Sequence, residues 1–322
     1  MNLKLAAMEP TFSVVGPVFN ESGTIRSFYE RVREAMDGLG EPWELLLVDD
    51  GSSDGSTEMI RNLAFEDPRV RPLLFARNFG HQIAVTAGLD YSRGQAVVVV
   101  DTDLQDPPEL IAELVSRWRA GYEVVYAVRT EREGESWFKK TTAALFYRLI
   151  NRITDVEIPL DAGDFRLLDR KVVTVLNRMR ERHRFPRAMV AWVGFRQIGI
   201  PYKRAARMAG ETKYPFRKML RLAINAVTGF SYFPLQLATY FGFICAGLSA
   251  LAIPLVILLR VSGREELVGQ ATTLIAVLFL GGVQLISLGI LGEYVGRLYD
   301  EAKGRPLYVL SEEPEAVVEP QP

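Results

Sequence analysis

A single cysteine, two histidines and a net charge of only -1 over 322 residues already narrow what the chain can do. Cys245 cannot form an intramolecular disulfide and sits in an apolar run, so the fold does not rest on disulfide cross-links. The near-neutral charge supplies no basic field of the kind that holds nucleic acid, which is excluded as a partner. The dinucleotide fingerprint G-x-G-x-x-G and the phosphate loop G-x-x-x-x-G-K-[ST] are both missing, removing the usual signatures of hydride transfer and ATP hydrolysis. His81 and His183 have no acid at motif spacing, and neither is cast as a catalyst. The start MNLKLAAMEP lacks an apolar stretch of secretory length, which predicts a first domain in the cytosol.

What the chain does have is two unlike halves. Charges thin out after Arg221, and Leu235–Leu259 and Leu267–Gly292 contain none. Each run exceeds the roughly 20 residues that cross a bilayer as a helix, so two transmembrane helices are expected. Core helices apolar for that length are rare in soluble domains of this size. The polar stretch Arg260–Glu266 joins the runs into a hairpin. Arg217, Lys218 and Arg221 precede it and Arg297, Lys303 and Arg305 follow, so the positive-inside rule puts both termini in the cytosol. The tail SEEPEAVVEPQP has little to bury and is expected to be disordered.

In the first half, apolar or β-branched runs recur at Thr11–Val18, Trp43–Val48, Val70–Phe75, Gln95–Val100 and Glu123–Val128, separated by stretches of helical spacing. That rhythm predicts an α/β domain with a mostly parallel, doubly wound sheet, whose ligands bind at the carboxyl ends of the strands. Three of those ends carry carboxylates: Asn20-Glu21, Asp49-Asp50-Gly51-Ser52 and Asp101-Thr102-Asp103-Leu104-Gln105-Asp106. In extended backbone, Asp101 and Asp103 point to one face, a spacing that suits one hard cation, with Gln105 able to add an amide oxygen. Magnesium or manganese prefers one or two carboxylates plus substrate phosphates. Alone, D-x-D is a weak signal; its context, after a fully apolar strand and before Asp106-Pro107-Pro108-Glu109, strengthens it. Asp50 either ends its strand or accepts hydrogen bonds from a base or ribose, while Ser53 or Asp54 caps the next helix.

Taken together, PVFNE, LLLVDDGSSDGS, ARNFGHQIAVTAGLD, VVDTDLQDPPEL, AGDFRLLDRKV and GETKYPFRKM resemble, in order and spacing, the family 2 inverting glycosyltransferases that use polyprenyl phosphates. The pattern is nearest to bacterial bactoprenol-phosphate glucosyltransferases, with dolichol-phosphate mannose synthases further off, and it extends from Phe12 through the second span. The resemblance implies a GT-A nucleotide-sugar-binding domain at 1–215, an amphipathic juxtamembrane helix at 216–233, two transmembrane helices within 234–296 and a cytosolic tail at 297–322. It implies that Pro17, Asn20, Glu21 and Asp50 hold the nucleotide, that Asp101, Thr102 and Asp103 belong to the donor site, and that Asp101, Asp103 and Gln105 hold Mg2+ or Mn2+. Alanine is usual where Thr102 stands. Asp164 matches a candidate catalytic aspartate, acting with Asp103, either as base or as an orienter of the sugar hydroxyls.

For the acceptor, the resemblance points to Arg129, Lys139, Lys140 and Lys213, cations that would draw a lipid phosphate towards the donor diphosphate; for Lys140 ordinary solvated surface charge competes. The stretches Trp137–Ile153 and Phe216–Val227 mix basic and apolar positions, as segments of a membrane interface or packing surfaces do. The implied reaction moves a sugar, with UDP-glucose as the first choice of donor, onto polyprenyl phosphate at the bacterial inner membrane. GDP-mannose, a UDP-N-acetylhexosamine and a modified UDP-pentose stay open as donors. Gly281, Gly282, Gly289 and Gly292 permit close helix contact, and the family often forms tetramers. A processive polysaccharide synthase would show Q-x-x-R-W and more spans; a transporter would need more than two helices. A catalytically silent membrane adaptor would retain the fold without binding donor or metal.

Overall fold

The computed structural model describes residues 9–129, 162–202, 233–262 and 270–312, which fall into two compact units: 9–129, 162–202 and 306–312 in one, 233–262 and 270–305 in the other. In the first unit the strands are Phe12–Val18 (β1), Trp43–Asp49 (β2), Val70–Leu74 (β3), Ala96–Val99 (β4), Val124–Arg129 (β5), Ala162–Asp169 (β6) and Gln197–Tyr202 (β7). The helices are Ile25–Asp37 (α1), Ser56–Glu66 (α2), His81–Tyr91 (α3), Ile111–Arg119 (α4), Arg170–Arg178 (α5) and Pro186–Trp192 (α6). The five expected strands coincide with β1 to β5 within about two residues. β6 and β7 were not anticipated, because Asp164 and Arg166 interrupt the apolar pattern of β6.

The sheet order is β3-β2-β1-β4-β6-β5-β7. β1 to β4 run parallel, β6 is antiparallel to both β4 and β5, and β7 is parallel to β5. Strand order reverses between β1 and β4, which opens a crevice at their carboxyl ends. Side chains alternate between the two faces. Phe12, Val14, Leu45, Leu47, Val98, Phe165 and Leu167 pack with Ile25 and Phe28 of α1, Ile60 of α2 and Leu114 of α4. On the other side α3 lies against β1 and β2, and α5 against β4 and β6.

Local sequence explains these helices. α1 buries Ile25, Phe28, Tyr29, Val32 and Met36, a stripe at helical spacing. α5 starts where the Asp169 carboxylate accepts the N–H of Lys171. α3 approaches the sheet so closely that a Cβ on Gly88 would lie 2.1 Å from Cγ1 of Val15. That contact brings the amino end of α3 to the carboxyl ends of β1 and β4.

The second unit consists of Phe233–Val261 (α7) and Gln270–Ala302 (α8), 29 and 33 residues long, which contact one another. α7 contains Leu235–Leu259 and α8 contains the second run from Gln270 onward, its first three residues lying outside the described residues; α8 continues ten residues beyond Gly292. Among the described residues one segment, Phe279–Ala302, is long and apolar enough to cross a bilayer, with mean hydropathy 1.4; Pro234–Cys245 in α7 is apolar but shorter. The expected juxtamembrane helix at 216–233 lies, apart from Phe233, outside the described residues. The tail expected to be disordered starts in order: Ser311 donates its N–H to the Leu74 carbonyl, and Glu312 pairs with Arg61.

At the amino end of the sheet the buried Glu44 carboxylate accepts from the Ser13 hydroxyl at 2.7 Å, the Arg93 N–H at 2.8 Å and the Arg71 guanidinium at 2.7 Å. Burial opposes its ionisation, but these donors outweigh burial and hold it below the usual carboxylate value. Its stabilising contribution is therefore complete above about pH 4.5 and fades as pH falls through the lower folded pKa. Glu44→Ala is expected to cost about 1–3 kcal/mol, because it leaves the Ser13 hydroxyl, the Arg93 N–H and the Arg71 guanidinium without their shared acceptor. The check is the thermal midpoint at pH 7 and pH 3, where the gap between wild type and variant should shrink in acid.

Candidate active site

The loops after β1 and β2 are stitched together by polar side chains. Asn20 adopts φ 55°, a left-handed conformation that asparagine tolerates. It donates its N–H to the Ser52 hydroxyl, and its side-chain oxygen accepts the N–H of Ser53, both at 2.9 Å. The Glu21 N–H reaches the Ser56 hydroxyl at 3.1 Å. Asp54 accepts from the Ser22 N–H at 3.0 Å and from the Ser56 N–H at 3.1 Å. Burial opposes its charge, yet the Ser56 and Ser22 donors outweigh burial and bring its pKa to about 2. Asp54, not Ser53, therefore meets the N–H of Ser56 at the start of α2.

Asp50 is 3% exposed and already has protein partners. Its carboxylate accepts the N–H of Phe79 at 2.6 Å and that of Gly80 at 2.9 Å. Burial nevertheless raises its pKa above the ordinary value, against the pull of those two donors. Beside it Gly51 has φ 70°, and a Cβ there would sit 2.7 Å from the Arg77 carbonyl carbon. The segment 77–80 is thus packed directly on the turn after β2.

Strand β4 ends at Val99, and the next residues form a pinned loop. Asp101, Asp103 and Gln105 are partly exposed, while Thr102, Leu104 and Asp106 are buried. The Asp103 carboxylate accepts the N–H of Gln105 at 3.1 Å, and Leu104 takes φ 60° to plug into the core. Asp106 is buried and accepts the Tyr202 hydroxyl from β7. Thr102 points inward: 2% exposed, it donates its hydroxyl to the Pro17 carbonyl at 2.9 Å. The Thr102 side chain is thus part of the packing between β1 and this loop. Pro17 is itself buried in β1.

Asp164 on β6 meets this loop across the crevice. Its carboxylate accepts from Arg187 Nε at 2.9 Å and lies 3.8 Å from Arg166 Nη2. Although burial disfavours the charged form, Arg187, His81 and Arg166 hold Asp164 well below the usual carboxylate range. His81 Nε2 lies 3.4 Å from Asp164 and 3.7 Å from Asp101. Burial works against its charge, but these two aspartates push its pKa up to about 9. Burial also raises Asp101 to about 6, with Asp164, Asp106 and Asp103 adding to the shift and His81 opposing it. His81 and Arg187 were missed because their partners are distant in sequence. The one local clue was the place of His81 at the start of a helix following a strand and Asn78-Phe79-Gly80, the element end where ligands gather.

The acceptor-side expectations stand apart. Arg129 closes β5, but its side chain lies outside the described residues, as do Lys139, Lys140 and Lys213 entirely. Among the described residues no group of three His, Cys, Asp or Glu side chains forms a metal cage. Asp101 Oδ1 is buried without a hydrogen bond, an acceptor left open beside Asp103 and Gln105.

Residues 13–176 match the profile of glycosyl transferase family 2. The chain is 51% identical over 299 residues to the uncharacterized glycosyltransferase YkcC of Bacillus subtilis (strain 168), covering 93% of each. It is 43% identical over 300 residues to the uncharacterized glycosyltransferase sll0501 of Synechocystis sp., covering 93% of this chain and 94% of the other. Identity is 42% over 301 residues to the bactoprenol glucosyl transferase of Shigella phage SfV, covering 94% and 98%.

With only two histidines, imidazole NMR reads the cluster directly. In metal-free protein His81 is expected to titrate near 9, and Asp164→Asn should return it towards the ordinary 6.5. The protonated imidazole stabilises the fold fully below pH 6.5, and that contribution is lost as pH rises through about 9. Unchanged titration in Asp164→Asn would remove Asp164 as its partner.

Proposed function

The chain belongs to glycosyl transferase family 2, with an α/β fold of the GT-A type, and from that premise we propose that it transfers glucose from UDP-glucose to polyprenyl phosphate with inversion at the anomeric carbon. The observation that carries this reading is the gathering of Asp101, Asp103 and Asp164 at one end of the sheet beside Arg187 and His81. Relatives at 41–42% identity named bactoprenol glucosyl transferases support the sugar and the lipid.

The donor lies across the crevice between β1 and β4, with Asn20, Glu21 and the Asp50 turn on the nucleotide side. Asp101, Asp103 and Gln105 would hold Mg2+ or Mn2+: the residues fit a hard cation, since they offer oxygen ligands and Asp101 Oδ1 has no hydrogen bond. When bound, the cation neutralises charge that develops on the departing diphosphate. Asp164, kept ionised by Arg187 and Arg166, is a weak base and a strong hydrogen-bond acceptor. It therefore orients sugar hydroxyls and leaves the proton bookkeeping to the acceptor. A phosphate monoester has a second pKa of about 6 and is largely anionic at neutral pH, so it attacks without a strong base. Arg129, Lys139, Lys140 and Lys213 supply the positive field that brings it close to the diphosphate.

The membrane half completes the assignment: α7 and α8 cross the bacterial inner membrane as a hairpin, with the catalytic domain and both termini cytosolic. Support comes from the chain after α8, which returns to the catalytic unit within a few residues. A homotetramer belongs to the same reading and rests on the family resemblance.

The test is transfer of radiolabelled sugar from a panel of UDP- and GDP-sugars to undecaprenyl phosphate in detergent. Labelling is expected from UDP-glucose, abolished by EDTA, and at least about 10²-fold slower in Asp103→Ala. Labelling from another donor reassigns the sugar; no labelling across the panel by folded enzyme sinks the reaction. Because the cation must displace a proton from Asp101, apparent metal affinity should fall as pH drops below about 6 and level off above it. A flat titration curve between pH 5 and 8 would take Asp101 out of the metal site.

A further inference from the structure

The segment after α8 docks on β3, which otherwise ends the sheet order. Ala76 donates its N–H to the Val309 carbonyl at 2.9 Å, Ser311 donates to Leu74 at 2.8 Å, and Phe75 and Leu310 form an antiparallel bridge. A bare strand edge exposes unpaired backbone groups, and this strap covers part of one. Its anchor is Tyr308. That ring stacks on Phe75 at 5.2 Å between centroids with a 12° interplanar angle. The hydroxyl donates to Asp90 Oδ2 at 2.9 Å, and Arg180 binds both oxygens of the same carboxylate.

The contact continues into the donor side of the site. Phe75 meets Phe79 edge-on at 5.6 Å, and the Arg77 guanidinium lies 3.9 Å over the Phe79 ring. Phe79 and Gly80 are the residues whose N–H groups hold the Asp50 carboxylate, and His81 follows at once. Hence a side chain that comes after the last apolar helix reaches the nucleotide turn through two aromatic rings.

We propose that Tyr308 is a positioning residue for the nucleoside diphosphate sugar: the strap 306–312 clamps Phe75 and Phe79 so that the 79–80 amides stay on Asp50. The inference rests on the donor assignment made above for Asp50. It also means that a catalytic unit cut off before Pro306 lacks part of its donor site.

Full-length enzyme in detergent tests this with Tyr308→Ala, Tyr308→Phe and Ser311→Pro, the last removing the N–H given to Leu74. Amide hydrogen exchange over residues 76–81 reports the brace without any substrate. Faster exchange there in Tyr308→Ala and Ser311→Pro, with β1 and β4 unchanged, is expected. The donor KM should rise about 3- to 10-fold, the weight of an aromatic pair, with the acceptor KM unmoved. Tyr308→Phe keeps the stack and should restore both readouts. Unchanged exchange at 76–81 overturns the brace, and faster exchange with an unchanged donor KM overturns its service to the donor. If wild type transfers no sugar from any donor, the functional assignment fails, while exchange still decides the brace.

Discussion

Concentrating negative charge where solvent is scarce is the constraint on which this site depends. Asp101, Asp103 and Asp164 meet near the carboxyl end of β4 and the amino end of β6, and like charges so placed resist ionising together. The chain divides the difficulty unequally. Arg187, His81 and Arg166 take Asp164 far below its ordinary pKa, whereas Asp101, which among the described residues pairs with His81 at 3.7 Å, rises through burial to about 6. Asp164 is thus held towards its charged form by protein cations, while burial pushes Asp101 towards its neutral form.

Such a division needs a rigid frame, and close backbone packing provides it. Gly88 lets α3 press on Val15 and delivers His81; Gly51 lets the turn after β2 press on residues 77–78. Leu104 and Thr102 face inward and Asp106 is tied to Tyr202, so the loop bearing Asp101 and Asp103 has little freedom. Asp50 shows the same economy. Its carboxylate holds the 79–80 amides in place, which ties the turn after β2 to the start of α3 that carries His81. The strap from beyond α8 extends that structure to the far end of the chain.

Much of the architecture was legible in the sequence, since β1 to β5 are short, largely apolar runs rich in Val and Leu and buried strands have that signature. β6 was not, because Asp164 and Arg166 put charge on one of its faces, and that face is the active one. Asp101 and Asp103 could be found because neighbouring residues on a strand end share a site. His81 and Arg187 could not, since each meets its partners only after helices α3 and α6 have docked. The inward turn of Thr102 was equally hidden: nothing in D-T-D says which side chain the core will take. Tyr308 was hidden as well, because its value comes from a ring it stacks on across the chain.

Sequence by itself determined the alternation of strands and helices, the apolar carboxyl-terminal runs, the family pattern and the carboxylates at strand ends, because these follow from local periodicity and from residues adjacent in the chain. Tertiary structure alone decided which charges meet: the pairing of Asp164 with Arg187, the place of His81 between two aspartates, and the hold of Phe79 and Gly80 on Asp50. The physical reason is that electrostatic and hydrogen-bond energies depend on distances of a few ångströms between groups remote in sequence, and only packing sets those distances.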